Sequence, residues 1–107
     1  MAKIRLASAS EVPEDGMIAR QHEGRAILLA KVDGKIFAMD NTCTHAGASL
    51  NEGVLGRAQG NPYLLTCPWH AAHFDIRTGK VYQETPWAMD TETFPVSVEG
   101  DDVFVDL

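Results

Sequence analysis

The chain has 107 residues, which fits one domain spanning 1–107 and allows a core of limited size. Apolar residues make up 45% and charged residues 22%, a composition that excludes a disordered chain. Nine basic and fifteen acidic residues leave a net charge of −6. This balance argues against a nucleic-acid partner, because contacts to a phosphate backbone require clusters of basic residues.

The chain also lacks the sequence signals of export and of membrane insertion. Its first ten residues, MAKIRLASAS, contain no apolar run long enough for a secretory signal. No segment approaches the roughly 18 to 20 apolar residues needed to span a bilayer. We therefore expect a cytoplasmic protein with no membrane partner, whose cysteines stay reduced or bind metal. A disulfide between Cys43 and Cys67 is the alternative, and this compartment disfavours it.

Short apolar runs separated by Gly, Pro, Asn and Asp recur along the chain and are typical of β strands. In the first 40 residues the predicted strands are 3–7, 17–21, 25–32 and 35–39. Pro13 and Gly16 mark a turn before the second of these strands. Asp33-Gly34 has the chemistry of a tight hairpin turn between the last two. The pattern predicts an all-β fold with antiparallel hairpins.

The segment from about 41 to 83 differs from the strands on either side of it. It holds five of the nine glycines, few long apolar runs and both cysteines, which indicates a loop-rich insertion on a β scaffold. Within it, DIRTGK (75–80) predicts a turn that closes a short hairpin. After it, 93–98 and 102–107 predict a second hairpin. Pro95 suggests that the first of these two strands lies at an edge or begins late.

Two mixed clips of cysteine and histidine lie inside the predicted insertion. The pattern is Cys43-x-His45, then 21 residues, then Cys67-x2-His70. Residues i and i+2 of an extended segment point to the same side, so Cys43 and His45 can face one site together. Cys67 and His70 can converge across a turn. Facing each other, the two clips would supply two thiolates and two imidazoles.

Two metal centres use that set of ligands. Tetrahedral zinc accepts two cysteines and two histidines, but its usual spacing keeps the cysteines in one clip and the histidines in the other. A two-iron cluster permits mixed clips, because neighbouring ligands can bind different irons. Two sulfurs on one iron and two ring nitrogens on the other describe a Rieske [2Fe–2S] centre. Zinc in a small interaction module remains the alternative.

The chain resembles the Rieske-type ferredoxins that supply electrons to bacterial ring-hydroxylating dioxygenases. The resemblance lies in CTHAGASL (43–50), CPWHAAHFDIRTGK (67–80) and the C-terminal TFPVSVEGDDVFVDL. It implies a Rieske-type β-sandwich with the inserted segment binding the cluster. It also implies that Cys43 and Cys67 hold one iron, that His45 and His70 hold the other, and that a segment with Pro86 covers the cluster. His22 and His73 are then not ligands, because one complete set exists without them.

The resemblance also bears on the reduction potential. Two ferric ions, two sulfides and two thiolates sum to zero formal charge with neutral imidazoles, so an electron enters more easily than in an all-cysteine cluster. High-potential relatives add a disulfide and hydroxyl groups near the sulfurs, whereas the matching positions here supply neither; these are Ala48, Trp69, Ala72 and Phe74. A potential low in the Rieske range is therefore expected. Trp69 and Phe74 are interpreted as packing residues that exclude water.

These observations together predict a one-electron carrier with no catalytic residue. Its expected partners are an NAD(P)H-dependent flavoprotein reductase, which donates the electron, and a terminal (di)oxygenase, which accepts it. The chain is too short to add a mononuclear-iron domain, and no set of two histidines and a carboxylate remains outside the clips. A second redox role, as the small subunit of an assimilatory nitrite reductase, remains open.

Overall fold

A computed structural model describes the scaffold on both sides of the two clips. The described residues are 3–41, 49–56, 61–66, 73–80 and 92–107. The four predicted ligands lie outside them, as do four other residues named above; the eight are Cys43, His45, Cys67, His70, Ala48, Trp69, Ala72 and Pro86.

The described residues form ten β strands and two short 3₁₀ turns. In chain order the elements are β1 (Lys3–Ser8), η1 (Ala9–Glu11), β2 (Gly16–His22), β3 (Arg25–Val32), β4 (Lys35–Asp40), η2 (Leu50–Glu52), β5 (Val54–Leu55), β6 (Leu64–Thr66), β7 (His73–Asp75), β8 (Thr93–Phe94), β9 (Val96–Glu99) and β10 (Asp102–Asp106). The predicted all-β fold is confirmed. Across these same residues we find no helix of the length and apolarity that crossing a membrane would demand.

The strands form three antiparallel sheets. Their strand orders are β1-β10-β9, β2-β3-β4-β8 and β5-β6-β7. The third sheet lies wholly between β4 and β8 in the chain, within the predicted insertion. That insertion was expected to be rich in loops, and its described residues add a small sheet to them.

Strand β3 is the centre of the fold, because both of its faces are buried. Leu28 and Ala30 on one face and Ile27 and Leu29 on the other are all fully buried. This double burial explains why the strand is a continuous apolar run instead of an alternating one. Neighbouring residues of a strand point to opposite faces, so β3 contributes to two separate cores.

Each of these cores joins the four-stranded sheet to a different neighbour. One core joins it to the inserted sheet through Leu50, Leu65, Phe74 and Ile76. The other joins it to the sheet of both chain ends through Ala7, Val103 and Val105. The architecture is therefore three layers with the β2-β3-β4-β8 sheet in the middle: the expected β-sandwich, with the inserted segment packed on it as the third layer.

The hairpin between β3 and β4 turns at Asp33 and Gly34, as predicted. Both residues have positive φ, 55° and 75°, which is the conformation of a two-residue hairpin turn. The backbone N–H groups of Asp33 and Gly34 donate to the Glu14 carboxylate at 2.7 and 3.1 Å. This carboxylate therefore satisfies turn donors that would otherwise face solvent.

Pro95 divides the strand that was expected at 93–98. Residues before it form β8, which pairs with β4, and residues after it form β9, which pairs with β10. Proline has no N–H for a ladder hydrogen bond, so it suits the point at which the chain leaves one sheet for another. Its carbonyl accepts from the N–H of Asp106 at 3.0 Å.

Replacing Gly34 by alanine should destabilise the protein through the backbone alone. No atom lies within 4 Å of the added Cβ, so the cost is that of the positive φ. The free energy of unfolding should fall by an amount on the order of 1 kcal/mol. The melting temperature, measured by circular dichroism, should then fall by about 4–8 °C. The exposed neighbouring substitution Lys35→Ala is the control and should change little; an unchanged Gly34→Ala variant would contradict the assigned turn.

Candidate metal centre

The described residues define the chain ends from which both clips depart. Strand β4 ends three residues before Cys43, and η2 begins five residues after His45. Strand β6 ends at Thr66, directly before Cys67, and β7 begins at His73, three residues after His70. Regular structure therefore lies close to each predicted ligand in the chain.

Asn41 links the two chain ends from which the first clip departs, which we call the base of that clip. Only 4% of it is exposed, and it is the one buried polar residue of the described segments. Its backbone carbonyl accepts from Leu50 N–H at 2.7 Å, and its side-chain Oδ1 accepts from Asn51 N–H at 2.9 Å. Its Nδ2 donates to Asn51 Oδ1 at 2.8 Å. These three bonds join the two ends of the segment that carries Cys43 and His45.

The second clip connects the paired strands β6 and β7. Their register pairs Leu65 with Phe74 and, as the last pair before the clip, Thr66 with His73. Leu65 and Phe74 are fully buried in the core, whereas Thr66 and His73 point to the other face and are partly buried. Thr66 Oγ1 and His73 Nδ1 lie 3.0 Å apart, within hydrogen-bond distance.

Gly53 brings the bases of the two clips together. It follows η2, and the next residue, Val54, pairs with Thr66. A Cβ on Gly53 would collide with the backbone carbonyl oxygen of Thr66 and would crowd that of Leu50. The φ of Gly53 is an ordinary −81°, so glycine is needed here for space and not for backbone conformation.

A polar and aromatic stack fixes the far end of β7. Arg77 donates to both carboxylate oxygens of Asp75, at 3.0 and 2.8 Å. Its guanidinium lies over the Tyr63 ring, 4.1 Å from the centroid, and Tyr63 in turn makes an edge contact with Phe37. The Arg77 hydrogen bonds hold the pKa of Asp75 below its ordinary value, although partial burial opposes this shift.

The predicted turn at 75–80 is present at this end of the strand. Gly79 N–H donates to the Asp75 carbonyl at 2.7 Å, and Asp75 N–H donates to the Lys80 carbonyl at 2.9 Å. The second strand of the hairpin that this turn was expected to close falls after residue 80, outside the described residues. The turn nevertheless anchors β7 at the end opposite the clip.

Glu92 anchors the chain where it returns to the middle sheet. Its carbonyl accepts from Asp40 N–H at 2.9 Å, and its carboxylate accepts from Arg25 at 3.0 Å. Asp40 directly precedes Asn41 in the chain. The segment expected to cover the cluster therefore rejoins the described structure beside the base of the first clip.

The described residues place three of the side chains that the sequence singled out. Phe74 is core packing, as interpreted. His22 is the last residue of β2, and its side chain is 29% exposed beside Glu23. His73 contacts Thr66 as given above. Among the residues that the structure describes, no group of three or more His, Cys, Asp or Glu side chains could hold a metal ion.

The donor set and the scaffold fit a Rieske cluster. Two thiolates and two imidazoles match its ligand chemistry, and mixed clips suit two irons. The scaffold brings the bases of both clips to one junction at Gly53 and Thr66. Sequence reasoning did not identify Asn41, Asn51, Gly53 or Thr66. The sequence did hold a signal for two of these residues: Asn41 and Asn51 lie ten residues apart, one on each side of the first clip.

Gly53→Ala should separate the two clip bases. Because the Thr66 carbonyl cannot yield without disturbing the β5–β6 pairing, we expect the melting temperature to fall and the iron content per chain to drop. Circular dichroism and iron analysis measure these effects. Gly24→Ala, with φ of 82° and open space around its Cβ, is the control for a purely conformational cost. Equal iron content in both variants would contradict the proposed packing role.

Asn41→Leu should open the base of the first clip. It removes two side-chain hydrogen bonds and leaves the N–H and side chain of Asn51 without these partners, at a cost of about 1–3 kcal/mol. Asn41→Asp keeps an acceptor for Asn51 N–H and should cost less. The free energy of unfolding, measured by chemical denaturation, distinguishes the two; equal losses would contradict the assigned hydrogen bonds.

Comparison with known proteins gives the same assignment. The Rieske [2Fe–2S] domain family matches residues 2–95. The ferredoxin component of the naphthalene 1,2-dioxygenase system of Pseudomonas aeruginosa is 35% identical over 104 residues, covering 97% of this chain and 94% of the relative.

Solved structures agree with this match. The ferredoxin of Sphingomonas yanoikuyae B1 superimposes with a TM-score of 0.86 at 32% identity, over 99% of both chains. A chain in a complex of reduced oxygenase and oxidised ferredoxin of carbazole 1,9a-dioxygenase superimposes with a TM-score of 0.83 at 26% identity, covering 96% of this chain and 91% of that one. The chain belongs to the Rieske [2Fe–2S] family as a ferredoxin, an electron carrier whose cofactor is a [2Fe–2S] cluster.

Proposed function

We propose that Cys43 and Cys67 hold one iron of the cluster and that His45 and His70 hold the other. They are the only cysteines in the chain, and each has a histidine two or three residues after it. The other two histidines are accounted for by other contacts: His22 lies near Glu23, and His73 contacts Thr66. The junction at Gly53 and Thr66 supports this assignment, because it ties together the bases of both clips.

The electron carrier serves an oxygenase system in this proposal. An NAD(P)H-dependent flavoprotein reductase donates one electron, and a terminal (di)oxygenase accepts it. The observation that carries the proposal is full-length similarity to dioxygenase ferredoxins, together with likeness to a chain crystallised with its oxygenase. This similarity favours an oxygenase system over the nitrite reductase alternative. The net charge of −6 suits basic docking surfaces on both partners.

The bound cluster supplies reversible one-electron chemistry, and the chain sets where the electron crosses. His45 and His70 are proposed as the exit for the electron, because the iron that they would hold would have no thiolate ligand and would be the more easily reduced of the two. Phe74 presents a fully buried hydrocarbon ring at a position where high-potential relatives have a hydroxyl. Fewer hydrogen bonds to the sulfurs support a potential low in the Rieske range.

The boundaries and location of the protein are further parts of the proposal. The chain is one Rieske domain, 1–107, with the cluster-binding insertion at about 41–83. The inserted sheet packs through a shared core onto the middle sheet, which supports a single unit. A cytoplasmic location is supported by the requirement for two free thiolates, which a reducing compartment preserves.

Ligand substitutions test the assignment of the metal centre. The dithionite-reduced wild-type protein should give a rhombic EPR signal with an average g below that of all-cysteine ferredoxins. Cys67→Ala and His70→Ala should each abolish this signal and the visible absorption, because each removes one of the four ligands. His22→Ala, which alters a histidine at the end of β2, is the control and should keep both. A ligand variant that keeps a wild-type spectrum would refute the assignment.

Electron transfer itself is tested with the two partner classes. The purified oxidised protein should be reduced by NADH only when a dioxygenase-system flavoprotein reductase is present. The reduced protein should then be reoxidised by an oxidised terminal oxygenase, followed at its visible bands by stopped flow. Both rates should fall as ionic strength rises, because an acidic carrier meets basic docking surfaces. Rates independent of salt would contradict the proposed electrostatic docking.

A further inference from the structure

We propose that Thr66 and His73 form a positioning pair that holds Cys67 and His70 in their binding geometry. The proposal rests on the ligand assignment above and concerns two residues that are not ligands. Thr66 directly precedes Cys67, and His73 follows His70 by three residues. The six residues 67–72, which include the second clip, therefore lie between the two members of this pair.

Thr66 and His73 form the last pair of the short β6–β7 ladder, which would be weak at this end without their side-chain contact. Strands β6 and β7 have three residues each, and Thr66 with His73 is the terminal pair on the side of the clip. A short antiparallel pair is marginally stable alone, and its last pair is where separation begins. The contact of 3.0 Å between Thr66 Oγ1 and His73 Nδ1 adds a side-chain link at that position.

The link is compatible with either tautomer of His73. If Nδ1 carries no proton, the Thr66 hydroxyl donates to it; if Nδ1 carries a proton, the ring donates to the hydroxyl oxygen. Threonine can act as donor or acceptor, so the distance between the two strands does not depend on which tautomer is present. A link of this kind suits a site whose charge changes in each redox cycle.

Thr66 is held on its other side as well. Its backbone pairs with Val54, and its carbonyl lies against Gly53 in the chain that returns from the first clip. A displacement of Thr66 therefore cannot be absorbed locally, since it would move the start of the second clip relative to the first. Through this one residue, the His73 contact reaches the bases of both clips.

The core residues next to Thr66 and His73 fix the geometry of the pair. Leu65 and Phe74 precede and follow it on the opposite face of the two strands, and both are fully buried in the core. Their packing fixes the rotation of β6 and β7, so Thr66 and His73 face each other across the ladder. The pair therefore depends on the core but leaves it unchanged when it is mutated.

Matched substitutions in the full-length, cluster-loaded protein test the proposal. Thr66→Val keeps the shape of the side chain but removes the hydroxyl, whereas Thr66→Ser keeps the hydroxyl. His73→Phe keeps a ring without a polar atom, whereas His73→Asn puts a polar atom where Nδ1 lies. Ser10→Ala is the remote control, because it removes one hydroxyl hydrogen bond, from η1 to Asp101 in the turn between β9 and β10. The measurements are the rate of iron loss to a chelator and the line width of the rhombic EPR signal.

We expect Thr66→Val and His73→Phe each to accelerate iron loss about two- to tenfold, as expected for one hydrogen bond, and to broaden the EPR signal. The double variant should lose iron no faster than the faster single variant, because both changes remove the same contact. Thr66→Ser and His73→Asn should restore wild-type behaviour, and Ser10→Ala should match wild type throughout.

Any of three results would overturn the proposal. These are an unchanged rate of iron loss in both single variants, a rate increase in the double variant equal to the product of the two single increases, or no return to the wild-type rate in Thr66→Ser and His73→Asn. If Thr66→Val cannot be loaded with a cluster, the comparison of His73→Phe with His73→Asn decides alone. Failure of the ligand assignment looks different, since a Cys67→Ala or His70→Ala protein would then keep its cluster whatever happens at Thr66 and His73.

Discussion

Burial of β3 on both faces is the constraint on which the rest of this structure depends. One strand supplies Leu28 and Ala30 to one core and Ile27 and Leu29 to the other. Water is excluded from both sides only if a sheet covers each of them. The N- and C-terminal strands cover one side, and the inserted β5–β7 sheet covers the other. The segment that carries the second clip is therefore also needed to complete the core.

This double role explains how a protein with so small a core can hold a site on connecting segments. Loops position ligands well only when their ends are fixed by a scaffold. Here the first clip is closed at its base by the buried Asn41, and the second leaves a ladder whose inward pair is fully buried. Gly53 lets the two bases approach to backbone contact. Each of these contacts fixes the chain beside a clip, a few residues from a predicted ligand.

The charges of the molecule and of its cofactor have different consequences. With two neutral imidazoles the oxidised cluster has no formal charge, so the energy of adding an electron depends mainly on hydrogen bonds and burial near the sulfurs. The net charge of −6 belongs instead to the surface, where it affects the rate of encounter with partners. The two properties can therefore be altered by different residues: groups near the sulfurs for the potential, and exposed carboxylates for docking.

The sequence alone determined the strands of the first 40 residues, the clips and the chemical class of the centre. Alternation and turn residues are local signals, so β3, β4 and the Asp33-Gly34 turn lie where they were predicted. The spacing of Cys43, His45, Cys67 and His70 is also a property of the chain, and family membership agrees with the cluster it indicated. The ligand roles of these four residues remain a prediction, as they lie outside the described residues.

Only the tertiary structure decided what depends on contacts between distant segments. The strands of the inserted sheet were not placed individually, because a short strand such as β6, next to proline and glycine, carries too little periodicity to be distinguished from a loop. Pro95 was placed in one strand, although its two neighbours pair in different sheets. Gly53 resembled an ordinary loop glycine until the Thr66 carbonyl was found against it, and Thr66 and His73 became a pair only through register. Sequence patterns record the neighbours of a residue along the chain, whereas these roles are set by atoms brought close through the packing of β3.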